Sequence, residues 1–213
     1  MKEDLVHRYS KSEESLNIIT HGFGLLLSMV GFPFLILKAF NFSGFWKPAS
    51  LIIFGLSLLI LYTASTFYHA AKRASIRRKL NIVDHAAIYV LIAGTYTPFT
   101  LIVLEGMVGW ILFGLTWFFA LIGMILKLFY TGKYDVLSTV MYILMGWQIV
   151  FAIKPLMKNF SSEGLYWLFA GGIFYTIGAI LYSLKKLPFN HATFHVFVIL
   201  GSLSHFFSIY CYI

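Results

Sequence analysis

A chain of 213 residues that is 60% hydrophobic and only 11% charged, with mean hydropathy +0.83, cannot cover a water-facing surface, because soluble domains carry about 25% charged residues. A soluble fold is excluded, and the chain reads as an integral membrane protein. The net charge of +8 is assigned to loops facing anionic lipid headgroups rather than to nucleic acid, and the lone Cys211 excludes an intrachain disulfide.

The first sixteen residues mix acids and bases, among them Lys2, Glu3, Asp4, Arg8, Lys11, Glu13 and Glu14. They show no cleavable signal pattern, and residues 1–17 read as a short cytoplasmic cap. Seven apolar runs follow, over 18–38, 48–71, 82–103, 107–129, 136–157, 164–184 and 190–212. Each is near the roughly 20 residues that a helix needs to cross the hydrocarbon core. Aromatic pairs such as Phe45-Trp46, Phe129-Tyr130 and Tyr166-Trp167 crowd the ends as interface anchors. The loops are short and nothing soluble is appended. The expected fold is all-α, a single seven-transmembrane helix bundle over 1–213 in the cell membrane.

Twelve Lys and Arg residues fall on the side of the N-terminus and four on the other. The positive-inside rule then puts the N-terminus in the cytoplasm and the C-terminus outside. The cluster from Lys72 to Lys79 reads as a lipid-headgroup face.

This topology sorts the polar residues by depth. His69 ends span two, Asp84 starts span three, and His191 and His195 lie in the first two turns of span seven. Asn17 and His21 start span one. All fall in the inner third of the membrane. Ionisable groups there are costly and usually face the bundle interior. His191 and His195, four residues apart, share one helical face about 6 Å apart along the axis. With His69 they could give three neutral imidazoles to one ion, and zinc with an open fourth position suits such a set. Asp84 could accept a proton from the bound water, and Ser65, one turn before His69, could orient it. A di-iron site needs more carboxylates, and an i, i+4 pair cannot ligate haem from both faces. A buried histidine also has a plainer reading as a packing residue, which is preferred for His21, His85 and His205. His7 reads as solvated.

Elsewhere, the glycines of spans one and six read as packing sites. Gly94 and Pro98 are expected to bend span three, with neighbouring threonines satisfying the freed backbone groups. Gln148 reads as a mid-membrane polar group facing a cavity.

Asn17-x-x-Thr20-His21-Gly22, Ser65-x-x-x-His69, Asp84-His85-x-x-Ile88, Ala93-Gly94-Thr95-Tyr96-Thr97-Pro98 and His191-x-x-x-His195 occur in this order. The pattern resembles the bacterial haemolysin III family of the progestin and adipoQ receptor superfamily, over essentially the whole chain. The resemblance implies a seven-helix bundle with the N-terminus inside. It also implies zinc held near the cytoplasmic side by His69, His191 and His195, with Asp84 reaching the ion through water. Alkaline ceramidases of similar Ser, His, Asp, His, His composition are amide hydrolases. The implied function is a zinc-dependent hydrolase of a lipid amide or ester, with membrane lipid as substrate. The alternatives are a cytolytic pore, which the family name implies, and a non-enzymatic regulator of membrane lipid or energetics. The sequence carries no signal for a lytic segment or for an oligomeric state.

Overall fold

The computed structural model describes residues 9–131, 133–184 and 186–213. His7 and the first eight residues of the expected cap lie outside them. The described chain is helical throughout, with α1 (Lys11–Ala39), α2 (Trp46–Ala70), α3 (Ala74–Pro98), α4 (Gly106–Tyr130), α5 (Asp135–Gly146), α6 (Ile153–Asn159), α7 (Ser162–Ser183) and α8 (Asn190–Tyr212). Among the described residues seven helical segments are long and apolar enough to cross a membrane, α5 and α6 together making one of them.

The burial pattern is that of a protein dissolved in lipid. Along α1 the buried stripe is Asn17, His21, Gly24 and Ser28, at helical spacing, while Ile19, Phe23, Leu26, Met29 and Val30 face outward. Polar and small residues point in because hydrocarbon solvates the large apolar ones and offers the polar ones nothing. Sequence neighbours pack side by side from α1 to α4, α7 lies on α8, and α8 closes back on α1. The ends of α1, α2, α3 and α8 that carry the polar residues therefore meet at one end of the bundle.

Two boundaries differ from the sequence expectation, and both matter to the site. Helix α1 starts at Lys11, so residues 11–17 are its first two turns rather than a cap. Ser10 caps it, its hydroxyl accepting from the Glu13 backbone N–H at 3.2 Å, and Glu13 and Glu14 favour the positive end of the helix. Helix α3 starts at Ala74, not 82, so Arg77 and Asn81 join the buried face that carries Asp84.

Span three runs without interruption from Ala74 to Val103 and changes helix type at its end. Pro98 leads into a π-helical stretch, Phe99–Val103. Thr95, Thr97 and Thr100 donate to the carbonyls of Leu91, Ala93 and Tyr96 at 2.8, 2.7 and 3.1 Å. Span five departs from a simple helix. It breaks after Gly146 into a 3-10 segment, Gln148–Ala152, before α6. Tyr96 fastens the break, its hydroxyl donating to the Gly146 carbonyl and accepting from the Ile149 N–H, both at 2.8 Å. Gln148 does not line the cavity described below. It accepts from Thr116 of α4 at 3.2 Å, which satisfies a mid-membrane amide between two helices.

Candidate metal centre

His69 is the penultimate residue of α2, and His191 and His195 occupy the first two turns of α8. Each offers a ring nitrogen, and the three atoms lie within 4.8 Å of one another, all three residues being buried. The Nε2 atoms of His69 and His191 face each other at 3.1 Å. Three neutral imidazole nitrogens converging from two helices form a donor set that could hold a metal ion. The sequence spacing brought two of them together on α8, and antiparallel packing through α1 brings the third.

Helix α1 supplies the layer behind these rings. Thr20 Oγ1 lies 3.2 Å from His195 Nδ1. The Thr20 hydroxyl already donates to the Leu16 carbonyl at 2.8 Å, so its oxygen accepts and His195 carries its proton on Nδ1. That tautomer leaves Nε2 as the nitrogen of His195 with a lone pair for a metal. Asn17 sits 3.4 Å from His69 Nδ1. His21 stacks on His195, with ring centroids 3.4 Å apart, and neither of its nitrogens has a hydrogen-bond partner among the described residues. His21 thus packs against the cluster itself rather than elsewhere in the core. Ahead of α1, the Tyr9 ring stacks on His191 at 4.7 Å, and burial holds its phenol well above the usual tyrosine range, in the protonated form.

Asp84 and Ser65 are buried near this cluster without being members of it. Both line a cavity of about 140 Å³ that His21, His191 and His195 also line. Apolar side chains continue it, among them Ile88, Ile92, Phe194 and Val198. Ser65 Oγ has no hydrogen-bond partner among the described residues. Asp84 lies 3.6 Å from His85 Nδ1, which makes its own shorter bond, donating to the Asn81 carbonyl at 2.8 Å. The cavity wall is thus mostly apolar, with His21, Ser65, Asp84, His191 and His195 among its polar members.

Two residues that the sequence reading passed over reach His69. Glu14 Oε2 accepts from His69 Nδ1 at 2.8 Å, and Glu14 Oε1 pairs with Arg77 Nη2. Arg77 is 6% exposed, unlike its basic neighbours Lys72, Arg73, Arg78 and Lys79, which are exposed. Ser10-x-x-Glu13, a helix-start signature, was the available pointer to Glu14. Arg77, Asn81 and Asp84 at i, i+4 and i+7 were the pointer to Arg77.

The sequence is similar to known proteins along nearly its whole length. The model of the family "Haemolysin-III related" matches residues 9–206. The chain is 45% identical over 204 residues to a "Hemolysin-3 homolog" of Bacillus subtilis (strain 168), covering 96% of each chain. It is 43% identical over 201 residues to "Hemolysin-3" of Bacillus cereus, covering 94% of this chain and 92% of that one. It is also 27% identical over 207 residues to human "Monocyte to macrophage differentiation factor", covering 94% of this chain and 84% of the relative. No solved structure matches. With seven apolar helices and a family match along nearly its whole length, the chain belongs to the haemolysin III family of multi-pass cell-membrane proteins.

Proposed function

We propose that this protein is a zinc-dependent membrane hydrolase that cleaves a lipid amide or ester. The observation that carries the reading is the buried three-histidine cluster beside a mostly apolar cavity that Asp84 and Ser65 share with it. The donor set fits zinc. Three neutral imidazole nitrogens, with no competing carboxylate in the set, are the donors zinc takes in sites that keep one position open. The Nε2 atoms of His69 and His191 are 3.1 Å apart, and the ligand nitrogens of all three histidines lie within 4.8 Å of one another. When bound, zinc supplies a water of lowered pKa and polarises a carbonyl.

The chain's own residues do the rest. His69, His191 and His195 would hold the ion. Asp84 takes the proton of the attacking water and returns it to the departing amine or alcohol as the carbonyl–N or carbonyl–O bond breaks. Ser65 donates a hydrogen bond to the reacting oxygen or to Asp84. The apolar walls seat an acyl chain. Twelve of sixteen basic residues sit on the side of the N-terminus, which orients this end of the bundle toward the cytoplasm and its exposed lysines and arginines toward anionic headgroups.

The test is metal analysis with lipid turnover on purified protein. Wild type is expected to carry about one zinc per chain. Asp84→Asn is expected to keep the zinc and lose about 10²- to 10⁴-fold in turnover of a lipid amide or ester. A wild type without zinc overturns the site, and zinc without turnover of any such lipid leaves the ion a structural role in a membrane regulator. A second reading, lysis, is favoured by the names of the two Bacillus relatives. Dye release from liposomes that survives Asp84→Asn and His191→Ala would decide for it.

A further inference from the structure

We propose that Glu14, held by Arg77, is the positioning residue of the metal centre, fixing His69 as an Nε2 ligand. The inference rests on the metal reading above and concerns residues it did not use. His69 has an inherent problem as a ligand. It stands one residue from the end of α2, where the last carbonyls have no intrahelical partners and helices fray. The next residue but one, Ala71, is already extended. A ligand on a fraying turn would spread over several positions and bind weakly.

The Glu14–Arg77 pair removes that freedom in two places at once. Arg77 Nη1 donates to the carbonyls of both Tyr68 and His69 at 3.3 Å, and its guanidinium lies 4.7 Å from the centre of the Tyr68 ring. The backbone of the ligand is thereby tied to the first turn of α3. Arg77 Nη2 meets one oxygen of Glu14, and the other oxygen accepts from His69 Nδ1 at 2.8 Å. The side chain of the ligand is thereby tied to the first turn of α1. One carboxylate closes a ring of contacts through three helices, and the arginine neutralises a charge that would be costly to bury alone.

The same contact sets the tautomer. A carboxylate only accepts, so His69 Nδ1 must carry the proton. The 2.8 Å charge-assisted bond to Glu14 outweighs the 3.4 Å approach of Asn17 to the same atom. Nε2 is left with its lone pair, and Nε2 is the atom that faces His191. A carboxylate behind a ligating imidazole also raises its basicity, and loss of such a partner typically lowers metal affinity about 10- to 100-fold.

Two measurements on the full chain in detergent test this. In the first, metal-stripped protein is titrated with zinc against a competing chelator. Glu14→Ala is expected to lower affinity about 10- to 100-fold, and Glu14→Gln, which keeps an acceptor of the same shape without its charge, to lower it less. In the second, ¹⁵N-histidine NMR of the metal-free protein is expected to show His69 as the Nδ1–H tautomer in wild type and as mostly Nε2–H in Glu14→Ala. Should Glu14→Ala fail to fold, the isosteric Gln variant carries both readouts. Zinc bound equally by wild type and both variants overturns the positioning role while leaving the metal site standing. An Nε2–H His69 in wild type overturns it too. A wild type that takes up no zinc overturns the metal reading and this inference together.

Discussion

Near its start α8 presents His191 and His195; ten residues on, about 15 Å along the same helix, it presents His205. All three are buried, and all three line the same cavity. The first two meet a third imidazole from α2 and are backed by α1, which supplies Thr20 and His21 to His195. His205 meets an aromatic and a glycine, its ring 5.3 Å from Tyr175 and flat against the space above Gly171. Burial is therefore uninformative about a histidine in a membrane bundle. What distinguishes a ligand is convergence of several helices' polar faces on one point, with Glu14 and Thr20 behind the His69 and His195 rings to fix their protons.

The comparison breaks first at the ligands. His191→Ala or His195→Ala is expected to take the zinc content from about one per chain to nearly none, since two imidazoles no longer make a closed donor set. His205→Leu is expected to leave it at one. Elemental analysis of the purified variants reads both. Equal loss in all three would mean that the metal depends on general packing of α8 and not on the cluster.

The next effect is one of packing at the distal site. A Cβ on Gly171 would lie 2.6–2.7 Å from three atoms of the His205 ring, closer than real contacts allow. Gly171→Ala is expected to destabilise the bundle by about 1–3 kcal/mol, the usual range for overpacking, with zinc content unchanged. In a His205→Ala background the same substitution should cost much less, because the three nearest atoms all belong to that ring. Thermal unfolding in detergent measures the cycle. Additive costs would show that His205 moves aside freely and does not pack as described.

The two ends of α8 were not equally legible in the sequence. The seven spans and the shared depth of His69, Asp84, His191 and His195 follow from run length and chain order, because hydrocarbon thickness fixes helix length and antiparallel connections fix which ends meet. Glu14 and Arg77 were hidden by the same logic. A window tuned to hydropathy starts span one after the charges at 11–14 and span three after those at 77–79, so residues that are helical and half or wholly buried were read as surface. The break in α5 was hidden for a different reason. It depends on a hydroxyl of Tyr96, fifty residues away from Gly146, and no local pattern announces it. The contact between His21 and His195 depends on the rotation of α1 about its axis, which spacing along α1 leaves open.

The smallest effect extends the contrast from histidines to charges. Lys47 pairs with Glu105 at 2.6 Å, but their side chains are 40% and 61% exposed. The pair joins the start of α2 to the turn before α4, about 33 Å along α2 from His69. By distance alone it is as good a bond as Glu14 to His69. It differs in company, since neither partner touches a third group that the site needs, and water and salt screen it. Lys47→Ala is expected to change stability by no more than about 1 kcal/mol, and less at high ionic strength, with zinc affinity as in wild type. Glu14→Ala, a loss of one charge from a pair of similar length, is expected to act chiefly on zinc affinity. If Lys47→Ala weakened zinc binding as much, the centre would be responding to the stability of the whole bundle, and the case for a locally positioned His69 would fall with it.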